Sequence, residues 1–93
     1  MIKSFFSKVE EKIWKGEQVR KYSLEIQITA RRKFRLLNNS NNIIDLTKPP
    51  SNHLEKLKGN RKGQYSIRIN KQWRICFAWK NNEAYDVEIT DYH

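Results

Sequence analysis

After residue 64 the apolar residues of this chain change period. Tyr65, Ile67 and Ile69 alternate with Ser66, Arg68 and Asn70. Trp73, Ile75, Phe77 and Trp79 alternate with Arg74, Cys76 and Ala78, and Tyr85, Val87 and Ile89 with Asp86, Glu88 and Thr90. Strict alternation is the mark of a pleated strand with one face covered and the other turned outward. Turn signals at Asn70-Lys71-Gln72 and Asn81-Asn82 join the runs into an antiparallel meander. Any fold for this chain must therefore supply a layer to cover one face of that sheet.

The covering layer is legible upstream. Ser7 and Glu10 have capping-box spacing, followed by Val9, Ile13 and Trp14 on one face until Gly16. A second helix is expected to begin near Ser23. Its buried stripe is Ile26, Ala30, Phe34 and Leu37, widened by Leu24 and Ile28, and its outer face carries Arg31, Arg32, Lys33 and Arg35. "NNSNN" at 38–42 ends it, because Asn and Ser compete for backbone hydrogen bonds. Pro49 and Pro50 exclude a central strand and favour a short helical turn capped by Ser51 or Asn52. Gly59 and Gly63 bracket a basic, flexible loop containing Arg61 and Lys62, and residues 2–6 read as an edge strand or lead-in. The expected architecture is α+β: two N-terminal helices packed on a small antiparallel sheet, covering its Tyr65/Trp73/Tyr85 face. The 93 residues fit a single domain, 1–93.

Register locates what the uncovered face carries, since a one-residue slip would turn a strand's apolar set the wrong way. Ile69 opposite Trp73 puts Arg68 opposite Arg74. Phe77 opposite Val87 puts Arg74 opposite Thr90 and Cys76 opposite Glu88, and Tyr92 shares the parity of Thr90. Two arginines directly opposed destabilise a sheet unless an anion lies between them. The plainer alternatives are that both splay into water, or that Glu88 and Asp86 neutralise them.

Charge favours the anion. Nineteen Lys and Arg against ten Asp and Glu leave +9, whereas net charges of about 2 to 8 already keep a small domain soluble. A polyanion such as RNA is the natural partner of such a surplus, with an acidic protein as the alternative. One cysteine excludes an internal disulfide framework and a multi-cysteine zinc site. No apolar run reaches the length of a signal core or membrane span, so a cytoplasmic protein without a membrane contact is expected.

The groups also suit phosphate chemistry. RNA cleavage needs a base for the 2′-hydroxyl, an acid for the leaving oxygen and cations for the charge on phosphorus. Tyr92 and His93 can move protons; Arg68, Arg74 and Lys58 can supply charge. Asp86, Glu88 and Asp91 alternate faces, which argues against a two-metal site. His53 and His93 could form an acid–base pair, but a lone loop histidine is more often a solvated side chain.

The segment "LEKLKGNRKGQYSIRINKQWRICFAW" with the ending "VEITDYH" resembles the HigB toxins of the RelE superfamily of type II toxin–antitoxin systems, over essentially the whole chain. The resemblance implies a RelE-like microbial ribonuclease fold. It also implies a ribosome-dependent mRNA endonuclease that cuts in the A site without a metal or cofactor, through 2′-oxygen attack leaving a 2′,3′-cyclic phosphate. By position it assigns Lys58, Arg74, Asp91, Tyr92 and His93 to catalysis, with Arg68 supported mainly by register. Some relatives place a histidine in an H-P-L-K-G motif; aligned on "LKG", Glu55 stands there and His53 lies two residues earlier, so the general base stays open among His93, Tyr92 and Asp91. The implied partners are a HigA-like antitoxin, mRNA on the ribosome and ribosomal RNA, with the free toxin a monomer. Arg31, Arg32 and Arg35 are candidates for RNA contact beside Arg61 and Lys62, or simply an ordinary solvated face. The competing readings are a non-catalytic RNA- or ribosome-binding module, or a protein-interaction subunit.

Overall fold

The computed structural model describes residues 1–91. Ser7 is extended and caps α1 (Lys8–Trp14), its hydroxyl accepting the Val9 amide at 3.2 Å. Glu10 adds an unforeseen link. Its carboxylate accepts the Ser7 hydroxyl and, at 2.9 Å, the amide of Ile89 in the last strand. Glu10 is buried, and an edge-strand amide buried beside it needs such an acceptor.

Ser23 caps α2 (Leu24–Asn39), accepting the Ile26 amide at 3.3 Å. Ala30, Phe34 and Leu37 are buried as expected and Ile26 half-buried. Leu24 and Ile28 do not widen the stripe: they are 54% and 53% exposed. At about 100° of rotation per residue they fall opposite Ala30 and Leu37. Lys33, expected outside, lies on the buried side for the same reason.

The connector folds into three 3-10 turns, Ile43–Thr47, Pro50–Asn52 and Gly59–Arg61. Neither Ser51 nor Asn52 caps the second; Pro49 precedes it, and Asn52 is its buried last residue. The sheet is an antiparallel meander in the order β1 (Glu55–Lys56), β2 (Gln64–Arg68), β3 (Trp73–Lys80), β4 (Glu83–Asp91). Its fourth strand is thus Glu55–Lys56. Residues 2–6 run beside β4 as a lead-in, with Ile2 and Phe5 making isolated parallel bridges to Ala84 and Val87.

Register agrees with the sequence reading at Arg68–Arg74, Arg74–Thr90 and Cys76–Glu88. It departs from it at Phe77. Between Cys76–Glu88 and Ala78–Tyr85 the strand β4 carries one extra residue, so Asp86 and Val87 together face Phe77. Asp86 takes the left-handed conformation (φ 53°) that such a bulge uses, and Ser4 receives its amide at 2.8 Å. The bulge reverses the alternation beyond it. Tyr85 pairs with Ala78 and leaves the helix-covered face, while Ala84, fully buried, pairs with Trp79 and takes its place.

The helices bury Ile67, Ile75, Phe77, Val87 and Ile89 beneath Ile13, Phe34 and Leu37. Phe5 meets Phe34 edge-on at 5.6 Å, and Tyr22 meets Trp73 at 5.2 Å. Among the described residues no helix is long and apolar enough to cross a membrane.

Candidate active site on the uncovered sheet face

Arg74 points away from the helices, yet it is buried. The chain on the β1 side folds over it. Its Nε donates to Ser66 Oγ at 2.8 Å, and Nη2 donates to the His53 carbonyl at 2.5 Å and the Ser66 carbonyl at 3.3 Å. A guanidinium fixed, among the described residues, by three oxygens from two elements has little rotamer freedom left to lose on binding an anion. The His53 carbonyl is aimed inward because His53 itself is left-handed (φ 45°), just after the Pro50–Asn52 turn. That turn is anchored by Asn52. Its amide nitrogen donates to the carbonyls of Leu46 (3.1 Å) and Lys48 (3.2 Å), and its oxygen accepts from Lys33 Nζ.

Arg68 stands opposite Arg74, half-buried, its Nε donating to the Asn70 carbonyl at 3.0 Å. Glu88 is not its counter-charge; it pairs with Arg61 at 3.2 Å, further along the sheet. Asp86 bonds to Ser4 at the bulge. His53, Glu55, Arg68, Asn70, Lys71 and Arg74 line a cavity of about 300 Å³.

The other sequence candidates distribute as follows. Lys58 is exposed ahead of the Gly59–Arg61 turn and lines a separate hollow with Lys62. Arg61 is held by Glu88 and by Gln64 at 3.1 Å. Arg31 is committed to the fold, its Nε donating to the Ile13 carbonyl at the end of α1 at 3.0 Å. Arg32 and Arg35 are exposed on α2. Asp91 pairs in register with Trp73, on the parity opposite to Arg74 and Thr90, and accepts from Gln72 at 3.2 Å. Tyr92 and His93 lie outside the described residues.

Sequence reasoning passed over Ser66, Asn52 and Lys33. Ser66 was findable, since it shares strand and face with Arg68; the Lys33–Asn52 contact left no sequence signal. Burial lowers the pKa of Lys33, and the neighbouring Arg32 charge lowers it further. Burial also raises that of Tyr22, with Glu10 and Glu88 adding to the effect. Among the described residues no three His, Cys, Asp or Glu side chains gather as a metal-ligand set. What the cavity offers is positive charge from Arg68, Lys71 and the fixed Arg74, against the one carboxylate of Glu55 among its described lining residues, a surplus suited to a phosphate.

Residues 3–93 match the family model for HigB-like toxins, described as a RelE-like toxin of the type II toxin–antitoxin system HigB. The chain belongs to the HigB-like toxin family. Relatives of this HigB-like chain include Toxin HigB-1 of Vibrio cholerae, 45% identical over 53 residues, which are 57% of this chain and 56% of that protein. Endoribonuclease HigB of Proteus vulgaris is 45% identical over 40 residues, 43% of this chain and 44% of the other. An uncharacterized Haemophilus influenzae protein is 48% identical over 53 residues, covering 57% and 52%. The chain spans about half the length of the curated relatives it matches. In fold it is similar to a crystal structure of the heterotetrameric YoeB–YefM toxin–antitoxin complex from Staphylococcus aureus. The TM-score is 0.60 at 22% identity, covering 100% of this chain and 98% of that one. A second YoeB–YefM complex from that organism gives 0.58 at 21% identity, with the same coverage.

Proposed function

We propose that this HigB-like toxin is a cytoplasmic endoribonuclease, acting on mRNA in the ribosomal A site and silenced by a HigA-like antitoxin. The observation that carries this reading is the opposed pair Arg68–Arg74, with Arg74 prefixed by Ser66 and the His53 carbonyl at the wall of a cavity of about 300 Å³. The relative named Endoribonuclease HigB supports the activity, and the two YoeB–YefM complexes support a protein partner.

In the proposed reaction the 2′-oxygen attacks the adjacent phosphorus, the 5′-oxygen leaves, and the products end in a 2′,3′-cyclic phosphate and a 5′-hydroxyl. Arg74 and Lys58 stabilise the charge developing on the phosphoryl oxygens, and Arg68 holds the strand. Tyr92, His93 and Asp91 serve proton transfer, with His53 and Glu55 as further candidates because they line the same cavity. Arg61, Lys62, Arg32 and Arg35 are proposed to contact RNA outside the reacting phosphate.

The test is cleavage of a translating message with end-group analysis of the fragments. Arg74→Ala is expected to slow cleavage by about 10²- to 10³-fold, the usual effect of removing one donor to a transition-state oxyanion. Deleting Tyr92 and His93 should leave the fold intact and abolish growth arrest. A folded variant lacking Arg74, Tyr92 and His93 together that still arrests growth would overturn the enzymatic reading in favour of a binding module.

A further inference from the structure

Lys33 is a buried cation whose hydrogen-bond partner is neutral. The residue is only 5% exposed, and its ammonium donates to the side-chain oxygen of Asn52. Buried ammonium groups ordinarily face a carboxylate, because desolvating a charge is costly without one. Among the described residues no carboxylate pairs with Lys33, and the charge of Arg32, of the same sign, acts on it.

The missing counter-charge has a place to sit. Lys33 and Arg32, from α2, form one wall of a cleft of about 360 Å³; Arg68 and Lys71, from the β2–β3 hairpin, form the other. Four cations thus converge from two separate elements, and among the described residues no carboxylate lines the cleft. Ser51 and Asn70 add neutral hydrogen-bonding groups. The cleft also shares His53, Arg68, Asn70 and Lys71 with the cavity at Arg74, so the two hollows are contiguous.

We propose that this cleft is a second phosphate subsite, which takes a backbone phosphate of the RNA strand next to the one held at Arg68 and Arg74. The proposal rests on the RNA-cleaving reading above and gives the strand a direction, off the sheet and onto α2. Contiguity with the Arg74 cavity favours a strand carrying regularly spaced charges over an isolated anion. The bound phosphate supplies the negative charge that the fold withholds from Lys33. Arg32 is the exposed arm of the subsite and Lys33 its buried floor, while Arg68 is shared between the two phosphates.

The experiment measures binding of a fluorescent RNA hexamer, fully 2′-O-methylated so that it cannot be cut, as salt is varied. Arg32→Gln and Lys71→Gln combined should reduce the slope of log affinity against log salt by about 0.7, the release expected for one single-strand phosphate contact, and each alone by part of that. The loss should be equal for oligo-U and oligo-A, since phosphate contacts read no sequence. Lys33→Met should weaken binding but also removes the donor to the buried Asn52 oxygen; because Arg32 is exposed, Arg32→Gln keeps the test decisive if Lys33→Met folds poorly. Lys12→Gln, an equal charge change on exposed α1, is the control.

Slopes for Arg32→Gln and Lys71→Gln that match the Lys12→Gln control would overturn the subsite. So would normal RNA binding by those variants with lost antitoxin binding, which would give the cleft to an acidic protein segment instead. Cleavage by wild type and by Arg74→Ala separates the two ideas. If that variant is inactive while the slopes stay unchanged, the subsite falls and the ribonuclease reading stands. If wild type itself leaves a translating message uncut while the slopes drop, the ribonuclease reading falls and phosphate binding in the cleft stands.

Discussion

Ser66→Ala isolates the geometry that prefixes Arg74. The substitution removes one oxygen and leaves almost no cavity, so its effect reports the hydrogen bond rather than packing. That oxygen accepts Arg74 Nε at 2.8 Å in a fully buried setting. A hydrogen bond to a charged group is worth about 1.5–3 kcal/mol, and the donor left behind cannot turn to water. The Ser66 and His53 carbonyls still hold Nη2, so the lower half of that range applies, about 2 kcal/mol. For a chain of this size that corresponds to a fall in Tm on the order of 10 °C. The assay is thermal unfolding of four proteins: wild type, Ser66→Ala, Arg74→Met and the double variant. With Arg74 gone, Ser66→Ala should cost less than about 0.5 kcal/mol, because the hydroxyl has lost its charged donor. Equal losses in both backgrounds would refute the claim that Ser66 acts through Arg74.

Two further perturbations address cations that the fold uses differently. Folding lowers the pKa of Lys33 below the ordinary 10.5. Between the folded value and 10.5 the unfolded chain therefore binds more protons, and stability rises with pH across that window. Urea unfolding from neutral to alkaline pH should show wild type gaining on Lys33→Met as pH rises; parallel curves would contradict the shift. Arg31→Ala removes the bond to the Ile13 carbonyl and should lower stability by about 1–2 kcal/mol. It should leave the salt dependence of RNA binding unchanged, and a drop in slope like that of Arg32→Gln would mean the guanidinium serves nucleic acid instead.

What the sequence by itself determined is whatever depends on local period and capping. The pleat forces side chains to alternate, so the apolar runs specified a meander and placed Arg68 across from Arg74 without any knowledge of the helices. Ser7 and Ser23 announced their helix starts because a hydroxyl is needed wherever free amides begin. The same rotation rule, applied more strictly, would have turned Leu24 and Ile28 outward and Lys33 inward.

Tertiary structure decided the rest, because the groups that meet are distant in the chain. The bulge at Asp86 depends on Ser4, 82 residues away, and it exchanges Tyr85 for Ala84 in the core. Glu10 reaches Ile89 across 79 residues, although spacing had assigned it a purely local cap. In the candidate site, opposed arginines were readable, but the oxygens that hold Arg74 were not. The His53 carbonyl is aimed by a left-handed turn, and that turn is anchored by Asn52 bonded to Lys33, 19 residues earlier. Periodicity says which side of a strand a charge occupies. Which neighbours immobilise that charge is settled only when separate elements pack, because desolvation and hydrogen-bond geometry do not exist until then.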